Sequence, residues 1–67
     1  MKPTVGRIVH YIDKNSAHRA AIVTVAGRES LNLTVFDPRG MTYGVEYCVE
    51  SSGGESNTWH WPERDEA

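Results

Sequence analysis

Sixty-seven residues, 39% of them hydrophobic and 24% charged, make one domain at most, and a net charge of −2 argues against a general nucleic-acid coat, which needs a basic balance. A chain this short buries only about 60% of the surface its unfolded form exposes, so it needs a staple or a partner subunit. The single Cys48 excludes an internal disulfide framework and no CxxC or HxxxH spacing marks a zinc site, so no metal and no cofactor are expected and a homo-oligomer is what remains.

The opening MKPTVGRIVHYI lacks an apolar run long enough for a signal peptide or a membrane span, which leads to the expectation of a soluble, cytoplasmic protein with no membrane partner. The charge is unevenly spread. Residues 1–40 carry six Lys or Arg against three acids, whereas 41–67 carry Arg64 against six acids. The basic half can offer cations to an anionic ligand, although two solvated faces of opposite sign account for the pattern equally simply.

The first apolar stretch, Val5 to Ile12, has Arg7, Val9 and Tyr11 opposing Ile8, His10 and Ile12, so apolar side chains occupy both faces; a strand of that kind is normally covered on both, and the second cover can be a neighbouring subunit. DKNSAH is a polar loop, and Arg19 to Val25 forms the second strand. At AGRES, Gly27 supplies the left-handed or hairpin conformation of a reversal. Leu31 to Phe36 is the third strand, and Asp37-Pro38-Arg39-Gly40 fits a type I turn at every position.

In MTYGVEYCVE, strict alternation puts Met41, Tyr43, Val45, Tyr47 and Val49 on one face and Thr42, Gly44, Glu46, Cys48 and Glu50 on the other, predicting a strand with one wet side. SSGGESN is a flexible loop, Thr58 to Trp61 a short last strand, and Pro62 stops further ladder bonding. Five short strands predict an all-β fold, a small SH3-like barrel over residues 1–62, with 63–67 as a charged tail.

Candidate binding residues lie mostly in the strands. Trp59 and Trp61 share one strand face and either pack as a hydrophobic clamp or form a stacking platform, with His60 on the opposite face. His10, His18 and His60 stand on separate elements with no close pair in sequence, which favours ordinary polar contacts over a metal; His10 and His60, on the first and last strands, suit a base edge or a phosphate. Arg7, Arg19, Arg28 and Arg39 offer planar donor forks to phosphate, with Arg7, inside a strand, the best placed; an ion pair with Glu46 or Glu50 is its alternative. Asn32, between two leucines, must bond either backbone or ligand, and Tyr11 offers a ring for stacking. No nucleophile stands in a catalytic context. Cys48 would sit outward between Glu46 and Glu50, an acidic setting that blunts a thiolate, so an enzyme is not expected.

GRIVHY, LNLTVF and the terminal TWHWPE together resemble a group of small bacteriophage and prophage proteins, from Gly6 to Glu63, with the ending the most specific piece. The chain departs from that group in its short middle and in Cys48. The resemblance implies a phage setting inside a bacterial cell, where small proteins without catalytic motifs often counter host defence, one strategy being a sponge for the host's nucleotide signal. The expectation is a non-enzymatic homo-oligomer that holds such a signal, a cyclic oligonucleotide or an ADP-ribose derivative, between subunits through Arg7, His10, Tyr11, Arg19, Asn32, Trp59, His60 and Trp61. The alternative is an SH3-like module that binds nucleic acid or a host or phage protein.

Overall fold

The period-two patterning folds as strands in the computed structural model of the chain, which describes residues 2–62; the tail expected over 63–67 lies outside the described residues. The strands are β1 (Ile8–Ile12), β2 (His18–Ala26), β3 (Leu31–Phe36), β4 (Thr42–Glu50) and β5 (Thr58–His60). They close a barrel in chain order, with every pairing antiparallel except the β4–β5 contact, which is parallel. Among the described residues there is no helix, and the small five-stranded barrel predicted from the sequence is the architecture observed.

Alternate residues of β1, β2 and β3 fill the interior: Val9 and Tyr11, Ala21 and Val23, then Leu31, Leu33 and Val35. Cys48 and Trp59 complete the core from β4 and β5. Removing each aliphatic side chain from water contributes about 1.5–3 kcal/mol, which is how so short a chain meets the entropy of ordering itself. Outside the barrel the same alternation leaves Ile8 59% exposed, with its β2 partner Ile22 half-buried beside it. The two-sided apolar character of the first strand is thus real: at Ile8 its outer side faces solvent in the single chain, whereas Ile12, on the same parity, is buried at 1% exposure.

Two turns share one design. Asp13 and Asp37 each accept, through Oδ1, the amides two and four residues ahead: Asn15 and Ala17 in the first case, Arg39 and Met41 in the second. Each turn also closes by a backbone bond from the residue three ahead, Ser16 to Asp13 and Gly40 to Asp37. That fourth residue is left-handed in both, at φ +63° for Ser16 and +89° for Gly40. The DPRG reading holds, and DKNS is the same turn with serine at the position glycine occupies more cheaply. Gly27 stands at the expected hairpin, its amide bonding the Ser30 carbonyl at 3.0 Å where β2 turns into β3. Its φ is not left-handed; a Cβ there would lie 2.6 Å from the Ser30 carbonyl oxygen, so close backbone approach is what demands glycine.

β1 begins at Ile8 rather than Val5. Gly6, at φ +92°, turns the chain, its amide reaching the Val23 carbonyl at 2.8 Å while the Arg7 amide bonds back to Thr4. Arg7 is therefore an exposed residue between that turn and β1, its carbonyl accepting the Val23 amide at 2.9 Å, and not, as expected, a residue inside the strand.

The alternation expected of β4 fails at one residue. Leu31 pairs with Cys48 but Leu33 with Val45, so two steps on β3 match three on β4, and Tyr47 takes up the extra residue at φ +57°. The Asn32 side-chain oxygen accepts the Tyr47 amide at 3.2 Å and anchors the bulge, which settles the backbone half of the expectation for Asn32. Beyond the bulge the faces exchange. Tyr47 turns 79% exposed, and Cys48, expected outward between two glutamates, is buried at 2% exposure with its thiol against the Asn57 carbonyl. Burial pushes its pKa up to about 11. A water-soluble disulfide reagent at about pH 8 is expected to leave Cys48 unmodified in the native protein and to label it promptly in denaturant; equal rates in the two states would contradict the bulge.

Candidate functional site

β5 is only three residues long and meets β4 at Val49 and Glu50 alone. Where it gives out, a cleft of about 820 Å³ opens between β1 and the Tyr43–Gly44–Val45 stretch of β4, and the two aspartate turns form its rim. Tyr11 reaches into it from the core and donates its hydroxyl to Asn57 Oδ1 at 2.7 Å. Tyr43, 42% exposed, presents its ring across the opening. Burial raises the pKa of both phenols, and negative charge nearby, Asp13 included, adds to it, so both stay protonated at neutral pH.

Lys14, Arg19 and Arg39 line the cleft against Asp13 and Asp37, three cations against two carboxylates, for one net positive charge. The carboxylates are already committed. Asp13 Oδ2 takes the Arg19 Nε–H at 2.9 Å, and the amides of Ala17 and Asn15, with the Arg19 guanidinium, hold its carboxyl below the ordinary 3.8. Asp37 is spent on its own turn and touches the Arg39 guanidinium only at 3.8 Å, where the arginine side chain is 84% exposed. Lys14 and Arg39 are thus the cations with reach at the rim, while Arg19 is fixed in the wall.

A second constellation lies on the outer face where the chain's ends meet. His10 of β1 and His60 of β5 are direct cross-strand partners, and His18 of β2, whose own partner is Ile12, stands diagonally two residues from His10 on the same side. The ring centroids are 5.3 Å apart for His10–His60, 5.0 Å for His18–His60 and 6.0 Å for His10–His18, all close to edge-on. One ring nitrogen from each lies within 4.8 Å of the other two. Beside them a recess of about 540 Å³ is lined by His18, His60, Glu50, Trp61 and the Ser52–Gly54 turn. His10 and His60 meet as expected of side chains on the first and last strands of a small barrel, and His18, expected in the loop before β2, joins them: barrel closure, not sequence spacing, gathers the three.

The expected binding residues therefore divide. Tyr11 and Arg19 line the cleft, although Tyr11, buried at 4% exposure, offers it a hydroxyl edge and not the ring for stacking that was expected, and His10 and His60 join His18 on the outer face. Trp59 does not form a stacking platform: at 3% exposure it packs in the core, edge-on to Trp61 at 5.6 Å, leaving Trp61 as the indole with a face toward a recess. Arg7 and Asn32 line neither cavity. Lys14 and Tyr43 escaped the sequence reading, the first as an undistinguished loop lysine and the second because simple alternation made it core; the signal for both was the repeated Asp-turn pattern that brings two loops to one end. Compared with family models, curated proteins and solved structures, the chain matches none.

Proposed function

We propose that this chain is a non-enzymatic binding protein that works as a homo-oligomer and sequesters a small nucleotide-type anion, in the manner of a phage protein acting in the bacterial cytoplasm against a host nucleotide signal. The observation that carries the reading is the cleft between the aspartate turns. Its volume falls in the range of small-molecule sites, its walls offer the exposed Tyr43 ring and the hydroxyl edge of buried Tyr11, and Lys14 and Arg39 stand at its mouth. A ring to stack on and cations at the edge are the two elements that a base joined to a phosphate requires. The sole thiol is buried with its pKa near 11, which suits holding a ligand rather than attacking it. Association is supported by the outer face, where exposed Ile8 sits beside half-buried Ile22.

Calorimetry against cyclic dinucleotides and ADP-ribose derivatives, followed by mass spectrometry of the recovered ligand, tests the reading. Saturable binding with the ligand intact supports it, and turnover restores an enzyme. A second reading, a module for a macromolecular strand, draws on the stretch of β4 along the cleft that β5 does not reach. Salt separates the two, because a nucleic-acid complex loses affinity steeply as salt rises whereas an enclosed nucleotide loses much less.

A further inference from the structure

We propose that His10, His18 and His60 form a three-histidine site for a divalent transition metal of the zinc class, which staples the first, second and last strands of the barrel together. The inference is independent of the nucleotide reading. Three imidazoles from β1, β2 and β5, with one nitrogen of each within 4.8 Å of the other two, supply the donor set. At a four-coordinate zinc with bonds of 2.0–2.1 Å, three nitrogens sit about 3.3 Å apart. The needed contraction, at most about 1.5 Å, is within reach of χ rotations, since His18 is exposed and His10 and His60 are half-buried. The donors also set the class: imidazole suits zinc, cobalt, nickel and copper, whereas magnesium and calcium ask for oxygen.

The placement gives the metal a structural purpose. β5 has three residues, yet it closes the barrel by pairing with β1 on one side and β4 on the other. Chains of this size commonly rely on a staple, and the lone Cys48 cannot provide one. A metal held by β1, β2 and β5 would fasten the C-terminal strand to the N-terminal hairpin at the point where the ladder is shortest. Three protein ligands leave a fourth position, and the recess beside His18 and His60, with the Glu50 carboxylate and Trp61 in its wall, has room for an exchangeable ligand there.

The test uses the full chain, stripped with a chelator and titrated with zinc chloride by calorimetry, with cobalt(II) absorption as a report on coordination. One zinc per chain is expected, together with the intense visible cobalt bands of a four-coordinate site. Zinc at about a hundred times its dissociation constant is expected to raise the melting temperature by roughly 10 °C or more. His18→Gln, at an exposed position that leaves the barrel undisturbed, is expected to weaken zinc binding at least tenfold, and His10→Gln with His60→Gln to abolish it; circular dichroism confirms that each variant is folded. No zinc binding by the wild-type chain at about 100 μM, or binding that survives in folded His18→Gln and in the double variant alike, would overturn the assignment. Because cobalt is read in the wild-type protein, a double variant that fails to fold leaves the proposal open to refutation: weak octahedral cobalt absorption alone would sink it.

Discussion

Trp59→Ala is expected to unfold the barrel at room temperature. The indole is 3% exposed, pairs across the sheet with Tyr11 of β1 and alongside Glu50 of β4, and lies edge-on to Trp61. Truncating a buried aromatic of this size costs about 3–5 kcal/mol, and losing the edge-to-face partner adds about 0.5–1.5 kcal/mol. Against that stands a total stability of roughly 3–10 kcal/mol for a chain of this length, and in the lower half of that range, where a core this small belongs, one substitution removes most or all of it. The position aggravates the loss, because the cavity opens in the three-residue strand that seals the barrel. Trp61→Ala is the contrast. That indole is only half-buried and packs on the outside of the core, so a cost of about 1–2 kcal/mol is expected. Urea unfolding followed by circular dichroism measures both. If Trp59→Ala and Trp61→Ala lose equal, small amounts, the inward placement of Trp59 is wrong.

The barrel could be read from the chain because β3 obeys period two and β1 and β2 follow it up to buried Ile12 and the register shift between Val23 and Val25, and Asp-Pro-Arg-Gly marks its turn by composition. What escaped depended on single residues whose conformation their identity does not announce. Tyr47 at φ +57° is unusual for a bulky side chain, and nothing local distinguishes it from any other strand tyrosine, yet it inverts the remainder of β4 and carries Cys48 inside. The joining of His18 to His10 and His60 escaped for a different reason. Ligand motifs are read along one element, where spacing fixes geometry, but His10, His18 and His60 meet through the registers of two strand pairings. The parity was available: His10 and His60 each stand opposite an inward aromatic neighbour, Tyr11 and Trp59, and so face outward together once the terminal strands pair. The cleft needed both turns to arrive at one barrel end, which depends on closure and not on either turn alone.

Joint reversal of Lys14 and Arg39 to glutamate is expected to abolish nucleotide binding while leaving the barrel folded. Neither side chain supports the fold. Both turns are held by the carboxylates of Asp13 and Asp37 on backbone amides, and Arg39 contributes its amide, which any residue but proline supplies. Each charge-assisted contact to a phosphate contributes about 1.5–3 kcal/mol, so losing two weakens binding by at least about a hundredfold, and glutamates in their place add repulsion. Tyr43→Ala acts on the other half of the ligand. Removing one stacking surface costs about 1–3 kcal/mol, enough to raise the dissociation constant several-fold to a hundredfold or so without touching the phosphate contacts. The paired experiment discriminates because the two variants fail differently: the charge reversal should invert the salt dependence of whatever binding remains, since salt screens the new repulsion, whereas Tyr43→Ala should lower affinity in parallel at every salt concentration. Full affinity in the Lys14→Glu, Arg39→Glu variant would move the ligand out of this cleft. Since Trp61 and the recess beside the histidines contain neither residue, binding retained there would be abolished instead by Trp61→Ala, and that exchange of sensitivities would identify the outer face as the working surface.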